Sequence, residues 1–330
     1  MNIRTDYSRT HGLPAPYTEG RRSKPMKTLA RCGALMLASA GFGLAAEPAL
    51  LNLLMPEARA AAGVDVQRAL HSPLGQFLLA RLDPQAVEGL DRFREATGFD
   101  PRTDLREVVA AFPGGPGDER RLAAAAGSFQ RERIVAAARG GGAEVSLYQG
   151  VEVVSFGAGT RRPSALAFLS DSLAVSGDPA SVRLAIDRYR RPGPALNAEL
   201  ASRIAAVSAG ADAWFVCLVP GSELAGAPGA GPKAAILGAI RQAAGSLRLG
   251  ATVVAEGEIV AVGPEEARDL ADSVRLLAGL ARLSRRDPKA AALAELLNFL
   301  EVSVAGDTLR LRLAVPESRL ESLIQSLGPR

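Results

Sequence analysis

Histidine and cysteine are nearly absent from this 330-residue chain, which has two of each, and one of each (His11, Cys32) falls within the first 46 residues. Beyond that point only His71 and Cys217 remain. A single cysteine forms no internal disulfide, so the body must rely on its core, and Cys217, inside the apolar run 214–219, reads as a buried, inert thiol. His71 directly precedes Ser72-Pro73, where Ser72 reads as a helix cap and Pro73 as the first helical residue. That position suits a solvent-facing or capping histidine, not a catalytic one. No Gly-x-Ser-x-Gly elbow occurs, and Gly140-Gly141-Gly142 lacks the following Lys-Ser/Thr pair of a phosphate loop, so it reads as a helix stop.

Lysine is also scarce, with four against 35 arginines, a bias of the whole composition. The first 46 residues hold seven basic and two acidic side chains, leaving 32 basic against 33 acidic in the remainder. The basic pI therefore belongs to the leader, and a near-neutral body without Lys/Arg runs interleaved with aromatics excludes nucleic acid as the expected partner.

What is present at the start is an export pattern. Lys27 and Arg31 precede the uncharged, mostly apolar run 32–46, and Leu44-Ala45-Ala46 offers a signal peptidase a site before Glu47. Residues 1–46 are expected to be a leader with a signal peptide, leaving roughly 280 residues in the periplasm or outside the cell. Arg21-Arg22 sits too far from the apolar run for a strong twin-arginine signal, and Cys32 lies at the wrong end of it for lipidation. Two alternatives stand beside this: cleavage after Ala60 or Ala62, or retention as an N-terminal membrane anchor, because apolar residues resume at 49–55.

The body alternates between strand and helix signals. Strands are expected at 60–66, 122–129, 144–148, 151–156, 165–169, 173–176, 212–219, 247–255, 259–262, 300–305 and 308–315. Helices are expected at 72–82, 84–97, 130–139, 178–190, 198–208, 233–244, 265–283, 287–299 and 317–327. Segment 105–112 fits either a short helix or an apolar strand, and 221–232 reads as a small-residue loop. Turns are placed at Gln149-Gly150, Glu256-Gly257-Glu258 and Gly306-Asp307. One arrangement, a hairpin followed by an amphipathic helix, recurs at 165–190, 247–283 and 300–327. Strands arriving in hairpins argue against a doubly wound parallel sheet. The expectation is an α+β protein of two related domains, 47–193 and 194–330, divided at Pro192-Gly193-Pro194, each an antiparallel sheet with helices on one face. A single sheet completed by strands from both halves gives the same local signals.

From residue 56 onward the chain resembles a group of uncharacterised secreted bacterial proteins of unknown function. The likeness rests on Ala62-Gly63-Val64-Asp65-Val66, Ser72-Pro73-Leu74-Gly75, Thr97-Gly98-Phe99-Asp100-Pro101-Arg102-Thr103-Asp104, Gly127-Ser128-Phe129 and segment 174–179. It implies export and a two-part α+β architecture, and no chemistry.

Asp100, Asp104 and Glu107 place three carboxylates within eight residues. Without a calcium-loop pattern they read as turn and cap groups: Asp100 before Pro101, with Thr103 or Asp104 capping the next segment. No catalytic, cofactor or metal residue is assigned. The expected function is non-catalytic binding of an envelope protein; a carrier of a small apolar or lipidic ligand is the alternative, and a hydrolase with an unrecognised carboxylate site the third reading. A binding groove is placed beside the 214–219 run, with Trp214, Ala225, Pro228 and Pro232 as its candidates, against ordinary core as the competing reading of Trp214. The oligomeric state is left open.

Overall fold

The computed structural model describes residues 47–326 apart from 116, 117, 119, 161, 194, 195, 226–233 and 284–287. Twelve strands form one sheet: β1 (Ala60–Asp65), β2 (Leu105–Phe112), β3 (Leu122–Gly127), β4 (Glu144–Tyr148), β5 (Val151–Phe156), β6 (Ser164–Phe168), β7 (Leu173–Gly177), β8 (Ala213–Cys217), β9 (Ile240–Arg248), β10 (Thr252–Ala261), β11 (Leu300–Ala305) and β12 (Thr308–Pro316). Their order is β11-β12-β10-β9-β8-β1-β2-β3-β7-β6-β5-β4, and the neighbouring pairs are antiparallel.

This corrects the two-domain expectation. β1 pairs with β2 on one side and with β8 on the other, so Gly63 stands opposite both Val109 and Trp214. A Cβ on Gly63 would lie 2.5 Å from Trp214 Cε2, so the indole occupies the space the glycine leaves open. Pro192 and Gly193 join helix Pro179–Arg190 to helix Ala198–Ser208, and Ile186, Leu200, Ile204 and Trp214 belong to one core cluster. A Pro/Gly break reads locally as a linker; Pro194 lies outside the described residues, and the helices before and after the break share one continuous core.

The helices are not confined to one face. Alternation along each strand gives the sheet a face bearing Trp214, Ala61, Val109, Ala124 and Val175, covered by helices Pro179–Arg190 and Ala198–Ser208 and by Leu50, Leu53, Leu54 and Met55. The opposite face, bearing Phe168, Val154 and Ala174, is covered by Phe99, Phe129, Ile134 and Val135 from the Pro84–Thr97 and Arg131–Gly140 region. Phe99 and Phe129 stack at 5.4 Å between centroids. On the far side of the sheet, helix Pro264–Leu283 covers this second face through Ala267, Leu270 and Ala271 over Leu309, Leu311 and Val302.

Local chemistry explains the element ends. Asp178 accepts from the Ser181 amide and Pro179 opens its helix, whose Val182, Ala185 and Ile186 are fully buried. Gln149 and Gly150 both have positive φ, 47° and 77°, as a two-residue hairpin with the twist of its strands requires. β6–β7, β9–β10 and β11–β12 are hairpins, each followed by a helix.

One open local reading is settled and three expectations are revised. Segment 105–112 is strand β2, its Val109 and Ala111 packed inward. The helix expected over 233–244 is short, Ala234–Gly238, and Ile240–Arg248 is already strand. Glu256-Gly257-Glu258 is no turn: the hairpin closes at 249–251, and both glutamates lie mid-strand in β10 facing arginines of neighbouring elements. The loop expected from 221 begins as helix Gly221–Ala225.

Candidate functional site

Of the four groove candidates, only Trp214 has a described side chain. It is 0% exposed, at the heart of the larger core, so it takes the core role that competed with the groove. Ala225 ends helix Gly221–Ala225, while Pro228 and Pro232 lie outside the described residues.

The turn and cap residues are bound within their own segments. Ser72 Oγ accepts from the Gly75 amide at 3.0 Å and donates to the Ala69 carbonyl at 2.7 Å, with Pro73 as the first helical residue. Asp100 accepts from the Arg102 amide at 3.0 Å and from its guanidinium at 2.8 and 2.9 Å. The Arg102 hydrogen bond holds the Asp100 carboxyl below its ordinary pKa despite burial. Pro101 opens the single turn Pro101–Asp104. Asp104 Oδ2 accepts from the Asp100 amide at 2.7 Å, and the Thr103 hydroxyl donates to Asp104 Oδ1 at 3.1 Å. These carboxylates close a knot at the foot of β2, and among the described residues no group of three or more His, Cys, Asp or Glu side chains could hold a metal ion. His71 is exposed with Nδ1 2.7 Å from the Gln67 carbonyl, and Cys217 is half-buried.

Glu107 stands apart from the other two carboxylates. Arg106 and Phe112 of β2 point out, whereas Glu107 shares its inward phase with Val109 and Ala111 and is only 5% exposed. Its Oε1 accepts from the backbone nitrogen of Glu47 at 2.9 Å. Burial first, and then the neighbouring Glu47 and Asp65 carboxylates, push its pKa up to about 7 against the opposing pull of the Glu47 hydrogen bond and of Arg106. The phase of β2 was the only signal in the sequence that could have separated Glu107 from Asp100 and Asp104.

The Trp214 face changes character beyond β9. Glu258 meets Arg203 at 2.6 Å and Arg310 at 3.3 Å, Glu256 meets Arg248 at 3.0 Å and Arg312 at 3.4 Å, and Arg312 reaches Glu301 at 3.7 Å. At its inner end Arg203, Gln242, Glu258, Val216 and Val260 line a shallow surface recess with no enclosed space for even one water molecule. It is no small-molecule pocket, which ordinarily measures roughly 300–1,000 Å³.

The apolar surface lies elsewhere. Helix Pro264–Leu283 buries Ala267, Leu270, Ala271 and Ala278 against the sheet, yet its second half turns Leu276 (63% exposed), Leu277 (61%) and Leu280 (51%) to solvent. The outer side of its first half carries Glu265, Asp269 and Asp272. The following helix, Pro288–Leu296, adds Leu293 at 51% exposure. Among the described residues no helix is long and apolar enough to cross a membrane.

No family model matches the chain, and no curated protein matches it. Among solved structures, one described as crystal form I of TP0453 is a distant structural relative: the TM-score is 0.43 and the identity 11%, over 84% of this chain and 96% of that one. A likeness at that level says nothing of activity or ligand.

Proposed function

We propose that this is an exported, non-enzymatic protein that binds an envelope protein through the exposed leucines in the second half of helix Pro264–Leu283. The observation that carries the reading is the pair Leu276 and Leu277, more than 60% exposed on a helix whose first half packs on the sheet through Ala267, Leu270 and Ala271. A solvated helix normally places polar residues outward, as the first half of this one does. Adjacent exposed leucines on a well-packed helix retain a transfer free energy that only an apolar contact recovers, about 1.5–3 kcal/mol for each side chain fully buried. The leader pattern and the resemblance to secreted bacterial proteins support the envelope as the place where that partner is met.

The test is crosslinking and recovery from the native envelope with the unaltered chain and with Leu276→Gln/Leu277→Gln. Loss of a specific protein partner in the double variant, with unchanged melting, is expected. Retention of every partner would overturn the reading, and a co-purifying lipid without any protein would replace it with the carrier.

A further inference from the structure

Glu47 is the N-cap of the first described helical turn. Its carbonyl accepts from the amides of Leu50 and Leu51, Pro48 opens the first helical turn, and Leu50, Leu53, Leu54 and Met55 then enter the main core as buried side chains. Cleavage after Ala60 or Ala62 would remove all four and cut into β1, the strand that joins the two halves of the sheet. Cleavage after Ala46 leaves all four in place.

At that boundary lies Glu107. The charged groups around it are the Glu47 carboxylate, held by Arg106 at 2.6 Å, and Asp65, which faces it across β1 and is itself engaged by Arg68 at 2.7 Å. Neither Arg106 nor Arg68 is spare. Among the described residues the one hydrogen bond recorded for the Glu107 carboxylate comes from the Glu47 nitrogen. A buried carboxylate with a single peptide N–H is poorly compensated.

We infer that cleavage between Ala46 and Glu47 places the new α-ammonium group of Glu47 on the Glu107 carboxylate, so that export processing completes a buried ion pair that the precursor lacks. The inference rests on the export reading above. Hydrolysis by a signal peptidase consumes one water: its oxygen joins the Ala46 carbonyl carbon to give a carboxylate, and its two hydrogens end on the Glu47 nitrogen, now NH₃⁺. The nitrogen is already 2.9 Å from Glu107 Oε1, so no backbone movement is needed to form the pair. One residue left in front would carry the charge about 3.8 Å further along the chain.

The experiment compares three chains released from a removable N-terminal fusion: one starting at Glu47, one starting at Ala46, and one starting at Glu47 with its amine acetylated, each with and without Glu107→Gln. Melting temperature is read from pH 5 to 7. In the two blocked chains the folded state holds its Glu107 proton to higher pH than the unfolded state does, so stability falls as pH rises through this window. In the free Glu47 chain the ammonium keeps Glu107 ionised, and the melting temperature stays level or rises. The expected divergence at pH 7 is about 3–6 °C, and Glu107→Gln abolishes it. Identical pH profiles for the three chains, or a divergence that survives Glu107→Gln, overturn the ion pair. Intact mass of the protein from its native envelope supplies the second arm. A start at Glu47 supports the inference and any other start overturns it; retention of residues 26–46 overturns the export reading as well, whereas identical profiles with a Glu47 start leave that reading standing.

Discussion

The two ends of this sheet are stabilised by different means. From β1 to β7 both faces are covered by helices or by the segment after Glu47, and the strands are rich in alanine: Ala110, Ala111, Ala124, Ala126, Ala165, Ala167 and Ala174 are all buried. From β9 to β12 one face carries a helix, and the other is a ladder of Glu256, Glu258, Arg248, Arg310 and Arg312 open to water. Small side chains let helices pack closely on both sides of the first region, whereas the second depends on one apolar layer. Hydrophobic burial scales with area and solvated ion pairs contribute little, so stability is concentrated at the β1–β7 end. Leu276, Leu277 and Leu280 sit at the other end, on a helix that covers β10–β12.

The largest test of this contrast is to divide the chain. A fragment of residues 194–330 lacks β1, leaving β8 an open edge and the Trp214 indole without the Gly63 strand against which it packs. That fragment is expected to show no cooperative urea transition, and a sharp transition would restore the independence of the second half. Next in size is Trp214→Ala in the intact chain. Removing a fully buried indole should cost about 3–5 kcal/mol by denaturant unfolding. Trp214→Phe should cost less, because among the described residues the buried Trp214 Nε1 has no hydrogen-bond partner to lose. A loss under about 1 kcal/mol for Trp214→Ala would mean that the junction between the halves is not a tightly packed core.

The sequence made the elements legible far better than their assembly. Proline starts, capping aspartates and apolar spacing give helices Pro84–Thr97, Pro179–Arg190 and Ala198–Ser208 closely, because those signals act within a few residues. Glu256-Gly257-Glu258 misleads because polar residues around glycine match a turn, while the arginines that make them strand residues come from as far away as Arg203 and Arg310. The continuity of the sheet was equally hidden, since it depends on Gly63 meeting Trp214 across 150 intervening positions in the chain, and no local pattern records that contact. Of the candidate site, the cap residues could be read from their spacing. The role of Glu107 depended on the nitrogen of Glu47, and the leucine surface on which side of helix Pro264–Leu283 meets the sheet.

At the charged end the effects shrink. Glu258→Gln removes one carboxylate shared by Arg203 and Arg310, whose side chains are 34% and 59% exposed. Solvent competes for all three groups, so the loss should be about 0.2–1 kcal/mol and should diminish further in high salt. A loss of several kcal/mol, insensitive to salt, would make the ladder a structural equal of the two-sided core.

The smallest change in stability is expected where the proposed function lies. Leu276→Gln and Leu277→Gln each replace a side chain that keeps more than 60% of its surface in water, in the half of the helix beyond the packed Ala267, Leu270 and Ala271. Glutamine is nearly as good a helix former as leucine, so neither packing nor propensity opposes the change, and unfolding free energy should move by no more than about 0.5 kcal/mol. Such neutrality is what a surface maintained for contact would show, because selection for folding alone does not require leucine there. If either substitution costs 2 kcal/mol or more, the leucine is packed within the folded chain itself, the contrast between the two ends narrows, and the binding surface must be sought elsewhere.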